Sequence, residues 1–166
     1  GAVCPVPLVD DVKNKIIERI VEPTLYGIKV EQLAYKGVLT LSLILKDGKE
    51  PVLVDYHVRF NDPATQAMIP IIKTDIIDIL NAMTRNEVNT INLETSDDCT
   101  VAVVLASPGY PLKPMLNTKI EGISNVFLMN LENKPLVFCG AIGLNEEKEI
   151  ITTGGRNLTI VGRGKN

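Results

Sequence analysis

Three chemically active side chains occupy alternate positions of one short segment. In residues 54–63, VDYHVRFNDP, these are Asp55, His57 and Arg59. Side chains two residues apart in a strand share a face and lie about 6.6–7 Å apart, so Asp55 and His57 can converge on one cation. Arg59, one step further, can then reach a phosphate or carboxylate held by that cation. The alternative is an Asp–His pair at the solvent-facing end of a half-buried strand.

The donor atoms of this pair leave the identity of the metal open. Carboxylate oxygens are hard ligands that suit Mg²⁺, whereas an imidazole nitrogen favours transition metals or zinc. The spacing therefore predicts a divalent-cation site without selecting the ion.

The tripeptide Gly154-Gly155-Arg156 is the second candidate. Glycines let backbone N–H groups approach an anion, and an arginine can bind phosphate through two parallel hydrogen bonds. A hairpin turn is the alternative for so short a motif.

The candidate cation ligands are placed on a predicted hairpin. Alternating leucines at 39–45 form its first strand, Asp47-Gly48 supplies the turn, and residues 52–60 form the second strand. A helix is predicted before the hairpin, from about 11 to 25, with Asp10 as its N-cap and Pro23 as a bend or end. A further helix is expected after NDPATQ, capped by Asn61 or Asp62 and interrupted at Pro70, with Thr74-Asp75 capping a second segment.

The second half of the chain has a different sequence pattern, in which apolar runs alternate with turn residues. CTVAVVLAS predicts an apolar strand, and PGYPLKP predicts a rigid loop. Short β-like runs follow, separated by turn residues, and they predict a small antiparallel, barrel-like unit. These runs are TKIEGI, NVFLMNL, PLVFCGAIGL, EIITTGG and NLTIVG.

Composition argues against several classes of protein. The formal net charge is −3, aromatic residues make up 4% and Trp is absent, so a nucleic-acid interface is not expected. No apolar run approaches the roughly 20 residues of a membrane span, and the first residues do not form a secretory signal. The three cysteines are distant and odd in number, which favours reduced thiols and a cytoplasmic protein.

The order of several motifs resembles one known family. GAVCPVPLV, YKGVLTLSLIL, VLVDYHVRFNDPATQ, ASPGYP and ITTGGRNLTIV follow one another as similar motifs do in phosphoribosylamine–glycine ligases. The resemblance covers essentially the whole chain. It implies an α+β fold, with the C-terminal part of an ATP-grasp core at 1–92 and a small C-terminal β domain, truncated at its end, at 93–166. It also implies that an N-terminal portion is missing, in agreement with the first residue, which is Gly.

The resemblance carries roles onto individual positions. The family's metal-binding Glu falls on Asp55 and its Asn on His57, while the arginine of the motif is retained as Arg59. Asp62 is also retained, and the resemblance implies a catalytic role for both Arg59 and Asp62. Positions Gly154, Gly155 and Arg156 match a motif that is expected to bind the ribose phosphate.

The activity implied by the resemblance is a two-step ligation with ATP and Mg²⁺ or Mn²⁺. Glycine's carboxylate is phosphorylated, and the amine of 5-phosphoribosylamine then displaces phosphate. A non-catalytic remnant or interaction module of the same fold is the alternative, because His57 and Asp55 depart from the family's ligands and Ala64 and Cys139 replace its Glu and His.

Overall fold

A computed structural model of the protein describes residues 1–129 and 134–165. The backbone forms two compact units. One unit contains residues 1–5, 62–73 and 94–166, and the other contains residues 6–61 and 74–93. These units are interleaved along the sequence, whereas the predicted domains are two consecutive segments, and that division stays a prediction.

The first unit is built on a four-stranded antiparallel sheet in the order β1-β4-β8-β5. Its small core contains Ala67, Ala102 and Val161, against which Ala2, Cys4 and Phe138 pack. The short helix α3 lies beside β1 and β4 and is fixed by the buried Thr100, whose hydroxyl hydrogen-bonds the carbonyl of Ala67. The strands are β1 (Ala2–Cys4), β4 (Cys99–Ala106), β5 (Leu136–Cys139) and β8 (Arg156–Gly164), and α3 is Ala64–Met68.

The rest of this unit departs from the predicted run of strands. A two-stranded ribbon, β6 (Ile142–Leu144) with β7 (Ile150–Thr152), is present, but α5 (Ile123–Leu128) is a helix where NVFLMNL predicted a strand. Residues 130 and 131 of that prediction lie outside the described residues. TKIEGI contributes an isolated bridge from Lys119 to Ile151. The mixed helical and antiparallel architecture confirms the α+β class, and the barrel-like form stays unconfirmed.

The second unit joins a helical segment to the predicted hairpin. The hairpin consists of β2 (Thr40–Lys46) and β3 (Glu50–His57). The helical segment runs through α1 (Asp10–Ile16), a π-helical turn (Ile17–Val21) and α2 (Glu22–Val30).

The helical segment passes Pro23, contrary to the prediction that it ends near residue 25. Pro23 lies in the first turn of α2, directly after the π-helical turn, where its missing N–H is tolerated. The Thr24 hydroxyl donates to the carbonyl of Ile20 across that junction at 2.6 Å. The predicted N-cap, Asp10, is instead the first helical residue, and Val9 occupies the N-cap position.

Asp75 caps α4 (Ile76–Arg85), as predicted, because its side chain accepts a hydrogen bond from the Ile77 N–H at 2.8 Å. In contrast, Pro63 takes the N-cap position of α3, where Asn61 or Asp62 was predicted. A 3-10 turn (Ile69–Ile71) contains Pro70 and ends that helical stretch, and a second 3-10 turn (Val88–Thr90) follows α4.

No helix in the part of the chain that the structure describes has the length and apolar character to cross a membrane.

Candidate functional site

A β-bulge in the hairpin brings the polar residues of its two strands opposite one another. Near the turn, Leu43 pairs with Leu53, but the register then shifts and Ser42 pairs with Asp55, which leaves Val54 without a partner. Had the first register continued, Ser42 would face Val54 and Asp55 would face Leu41. Because a shift of one residue exchanges the two faces of a strand, the bulge sets Asp55 against a hydroxyl rather than a leucine.

The predicted pair of cation ligands lies together at this position. Asp55 Oδ2 is 3.7 Å from His57 Nε2, and the same nitrogen is 2.9 Å from Ser42 Oγ. The other carboxylate oxygen of Asp55 accepts the Tyr56 N–H at 2.8 Å, which fixes the orientation of the group. His57 is about a quarter exposed, and Asp55 is mostly exposed. These three side chains, Ser42, Asp55 and His57, are called the polar cluster below.

The polar cluster contains a serine, a histidine and an aspartate, but it is not arranged as a nucleophilic relay. In such a relay the acid binds one imidazole nitrogen and the nucleophile binds the other. Here Ser42 and Asp55 both approach Nε2 of His57. The arrangement suits a shared cation better than proton transfer from the serine hydroxyl.

The donor set fits a divalent cation only in part. Magnesium in nucleotide sites is held by one or two carboxylates together with phosphates and water, so the Asp55 carboxylate fits it. The imidazole nitrogen does not, and it suits a transition metal instead. Among the described residues, no three His, Cys, Asp or Glu side chains converge, so the cluster depends on Ser42 as its third polar group.

Arg59 lies beyond the end of β3 and turns toward its own segment. Its Nη1 donates to the carbonyl of Phe60 at 3.0 Å and approaches Asn61 Oδ1 at 3.3 Å. The Thr40 hydroxyl donates to the Arg59 carbonyl at 3.0 Å, which ties the turn to the first residue of β2. The guanidinium is therefore held locally by neutral oxygens.

A second group of predicted residues meets in the other unit. Arg156 Nη1 lies 3.0 Å from Asp62 Oδ2, and Gln66 Nε2 donates to Asp62 Oδ1 at 2.6 Å. Both oxygens of Asp62 are therefore engaged, one by a guanidinium and one by an amide. The helix α3 supplies Gln66 one turn after Asp62, which explains why these two side chains can meet.

The GGR and GYP motifs pack against one another at one end of the four-stranded sheet. Ser107, directly after β4, donates its N–H to the Gly155 carbonyl at 2.8 Å. With its amide oriented so that both its oxygen and its nitrogen meet complementary groups, the buried Asn157 side chain donates to the carbonyls of Gly154 at 3.0 Å and Ala141 at 2.8 Å, and its oxygen accepts from Ser107 Oγ at 2.8 Å. These contacts fix the backbone directly before and after Arg156.

The two glycines of GGR are required by packing. A Cβ at Gly155 would lie 2.2 Å from the ring of Tyr110, and a Cβ at Gly154 would lie 2.6 Å from Cβ of Ala141. Gly109, beside the tyrosine, has φ of +83° and is also closely approached, by the Lys113 carbonyl. The GGR motif therefore has a packing role, because its glycines allow two loops to approach closely.

The hairpin that carries the polar cluster is attached at its turn end to α1 and the following π-helical turn by ion pairs. Glu50, the first residue of β3, accepts from Lys15 Nζ at 2.9 Å and from Arg19 Nη1 at 2.8 Å. The hydrogen bond from Lys15 is the main reason that the pKa of Glu50 lies below its ordinary value, and the pKa of Lys15 is raised in turn.

Sequence reasoning missed Ser42, Gln66, Tyr110 and Asn157. The polar phase of β2 indicated Ser42, since Thr40 and Ser42 alternate with leucines, but its partner depends on the bulge. Gln66 lies one helical turn after Asp62, a spacing that could have indicated their contact. Tyr110 and Asn157 act across segments distant in sequence, and no local pattern marks them.

Comparison with known proteins finds related sequences. Residues 1–65 match the family described as "Phosphoribosylglycinamide synthetase, ATP-grasp (A) domain". A phosphoribosylamine–glycine ligase from Caldanaerobacter subterraneus subsp. tengcongensis is 35% identical over 166 residues, which are 99% of this chain and 38% of that protein. The trifunctional purine biosynthetic protein adenosine-3 from Drosophila pseudoobscura pseudoobscura is 33% identical over 166 residues, 97% of this chain and 12% of that protein.

A solved structure shares the fold along the whole chain. The crystal structure of phosphoribosylamine–glycine ligase from Thermotoga maritima superimposes with a TM-score of 0.78 and 29% sequence identity, covering 99% of this chain and 38% of that one. The family match and the shared fold thus define a part of an ATP-grasp protein. The chain belongs to the phosphoribosylamine–glycine ligase family, and it spans a little over a third of the length of the Caldanaerobacter ligase.

Proposed function

We propose that this chain is a portion of an ATP-dependent carbon–nitrogen ligase that joins glycine to 5-phosphoribosylamine in de novo purine biosynthesis. The products are glycinamide ribonucleotide, ADP and phosphate. The observation that carries the proposal is the agreement in sequence and fold with such ligases over almost the entire chain. Because the chain spans a minor part of their length, it requires the remaining portion and is inactive alone. The protein acts in the cytoplasm.

Asp55 and His57 hold the divalent cation, either Mg²⁺ or Mn²⁺, in this proposal. Both project from alternate positions of a paired strand, and Asp55 is oriented by the Tyr56 N–H. When bound, the ion neutralises charge on the ATP phosphates. Arg59, at the end of the same strand, stabilises the transferred phosphoryl group. Its present acceptors are neutral oxygens, which a phosphate can replace with a stronger charge-assisted hydrogen bond.

Arg156 binds the ribose phosphate, with Gly154 and Gly155 shaping the loop that presents it. Asp62 acts by orienting this guanidinium, since both of its carboxylate oxygens are already engaged. The rigid packing of Gly155 under Tyr110 supports such a role, because a fixed backbone places the arginine without further ordering.

The reaction proceeds in two balanced steps. A carboxylate oxygen of glycine attacks the γ-phosphorus of ATP, which forms an acyl phosphate and releases ADP. The amine nitrogen of phosphoribosylamine then attacks the acyl carbon, phosphate leaves, and the amine loses a proton. Positioning and charge neutralisation supply most of the acceleration in phosphoryl transfer.

We further propose that residues 1–92 complete the ATP-grasp core and that residues 93–166 form a small C-terminal β domain with a barrel-like form. The change from helix and hairpin to short strands after α4 supports this division.

A chimera tests the proposed activity. This chain replaces the matching part of the Caldanaerobacter ligase, and ADP release is measured with glycine, phosphoribosylamine and ATP. ADP formation that requires both substrates is expected. A chimera that is monodisperse, shows a cooperative thermal transition and releases no ADP would refute the proposal.

A non-catalytic remnant of the same fold is the second candidate. It is favoured by one observation, that no three acidic, histidine or cysteine side chains converge in the described residues. Titration of the chain with Mg²⁺ and Mn²⁺ separates the two candidates. Binding that is lost in Asp55→Asn excludes a dead site.

A further inference from the structure

We infer that the polar cluster is a three-donor site that selects Mn²⁺ over Mg²⁺, with the Ser42 hydroxyl as its third protein ligand. The inference deepens the proposed function, because it concerns the cation of the same site. It depends on the chemistry and separations of the three donor atoms.

The two separations from His57 Nε2 lie at or near the edge length of a coordination shell. Metal–ligand bonds of about 2.1 Å place neighbouring ligands of an octahedral ion about 3.0 Å apart. Ser42 Oγ lies 2.9 Å from His57 Nε2, and Asp55 Oδ2 lies 3.7 Å from the same nitrogen. The first separation fits as it stands, and the second requires a closure of less than 1 Å by a carboxylate that is mostly solvent-exposed.

The three donors also project from rigid elements. Ser42 and Asp55 are directly paired across the antiparallel ribbon, and His57 lies two residues further along β3. The bulge at Val54 creates this pairing, and bulges commonly re-aim side chains beside functional sites. Sites on paired strands hold their ligands more accurately than sites on loops.

The chemistry of the donors sets the selectivity. A carboxylate and a hydroxyl accept Mg²⁺ and Mn²⁺ alike, so they do not discriminate between these ions. Imidazole is a ligand of transition metals, whereas Mg²⁺ sites in proteins are built from oxygen. His57 is therefore the residue that separates the two ions, and Ser42 and Asp55 support both.

Metal binding to the full 166-residue chain tests this inference without any activity assay. Electron paramagnetic resonance measures the fall of the free Mn²⁺ signal, and calorimetry measures Mg²⁺ binding. Mn²⁺ is expected to bind at least tenfold more tightly than Mg²⁺. Equal affinities, or no binding of Mn²⁺ to a folded chain, would overturn the inference.

Variants assign the ligands. His57→Asn is expected to weaken Mn²⁺ binding by tenfold or more and to change Mg²⁺ binding by less than threefold. Ser42→Ala should weaken both ions to a similar degree, and Asp55→Asn should abolish both. Asp47→Asn makes the same change at the turn of the same hairpin and should leave both affinities unaltered. A Mn²⁺ to Mg²⁺ ratio that His57→Asn leaves unchanged contradicts the assignment.

The result is separable from the fate of the proposed function. Selective Mn²⁺ binding with no ADP release by the folded chimera, in either metal, refutes the ligase and leaves the metal site standing. ADP release by the chimera together with equal affinities for the two ions would support the ligase and refute the selective metal site.

Discussion

The carboxylate of Asp62 pairs with the guanidinium of Arg156 at 3.0 Å. This contact joins the DP motif at the start of α3 to the GGR motif at the start of β8. Each motif was a separate weak signal in the sequence, and the structure places them within one hydrogen-bond distance. The pair joins a residue predicted to be catalytic to a residue predicted to bind substrate.

Removal of this pair should affect function more than stability. The two side chains are 47% and 37% exposed, and exposed ion pairs contribute about 0–1 kcal/mol. Asp62→Asn is therefore expected to lower the free energy of unfolding by no more than about 1 kcal/mol in urea titration. In the chimera, the same change should raise KM for phosphoribosylamine at least tenfold with kcat less affected. A stability loss of several kcal/mol would instead identify Asp62 as a structural residue.

Gly155→Ala should destabilise the first unit through a steric clash. Its Cβ would lie 2.2 Å from the ring of Tyr110, and overpacking of this kind costs about 1–3 kcal/mol. Urea titration of Gly155→Ala, Tyr110→Ala and the double variant measures the coupling. The glycine change should cost much less when Tyr110 is already truncated. Strictly additive losses would show that the ring is not what requires glycine here.

The hydroxyl of Thr100 should contribute measurably to the stability of the first unit. Thr100 is fully buried, and its hydroxyl bonds the Ala67 carbonyl at the point where α3 meets β4. Thr100→Val keeps the shape and leaves that carbonyl without its donor, so a loss of about 1–3 kcal/mol is expected. Thr100→Ser retains the hydroxyl and is the matched control. A Thr100→Val variant as stable as the wild type would show that the hydrogen bond does not contribute, and any loss in Thr100→Ser measures the buried methyl group instead.

Acid should weaken the attachment of the hairpin to α1. The pKa of Glu50 is lowered, chiefly by the hydrogen bond from Lys15, so its contribution to stability is complete above the ordinary glutamate pKa of about 4.3. That contribution is lost as the pH falls through the lowered pKa of the folded state. The midpoint temperature of thermal unfolding, measured between pH 7 and pH 3, should therefore fall less steeply with decreasing pH in Glu50→Gln than in the wild type. Glu18→Gln, on the same helical segment, is the control and should follow the wild-type curve.

Local patterns predicted the elements that carry the site. The alternation of leucines and the Asp47-Gly48 turn predicted the hairpin. The short polar side chain of Asp75 predicted the start of α4. The segment NVFLMNL was assigned wrongly because a short apolar run satisfies either period, and the helix there follows Gly122 with φ of +86°.

The contacts that assemble the candidate site could not be predicted from local sequence patterns. Asp62 and Arg156 meet only because α3 packs beside the four-stranded sheet, and the Tyr110 ring reaches Gly155 only through the order of β4 and β8 in that sheet. The position of Ser42 required knowledge of the bulge, which depends on how both ends of the ribbon pair. Such relationships arise from tertiary packing, and the neighbouring residues do not encode them.

The unpaired Val54 also has a consequence for how this hairpin can change in length. Loss of that one residue would leave Leu53 opposite Leu43 and Asp55 opposite Ser42, now in an uninterrupted ladder. Deletion of Val54 alone would therefore straighten the ribbon without changing which residues face one another on either side of the bulge.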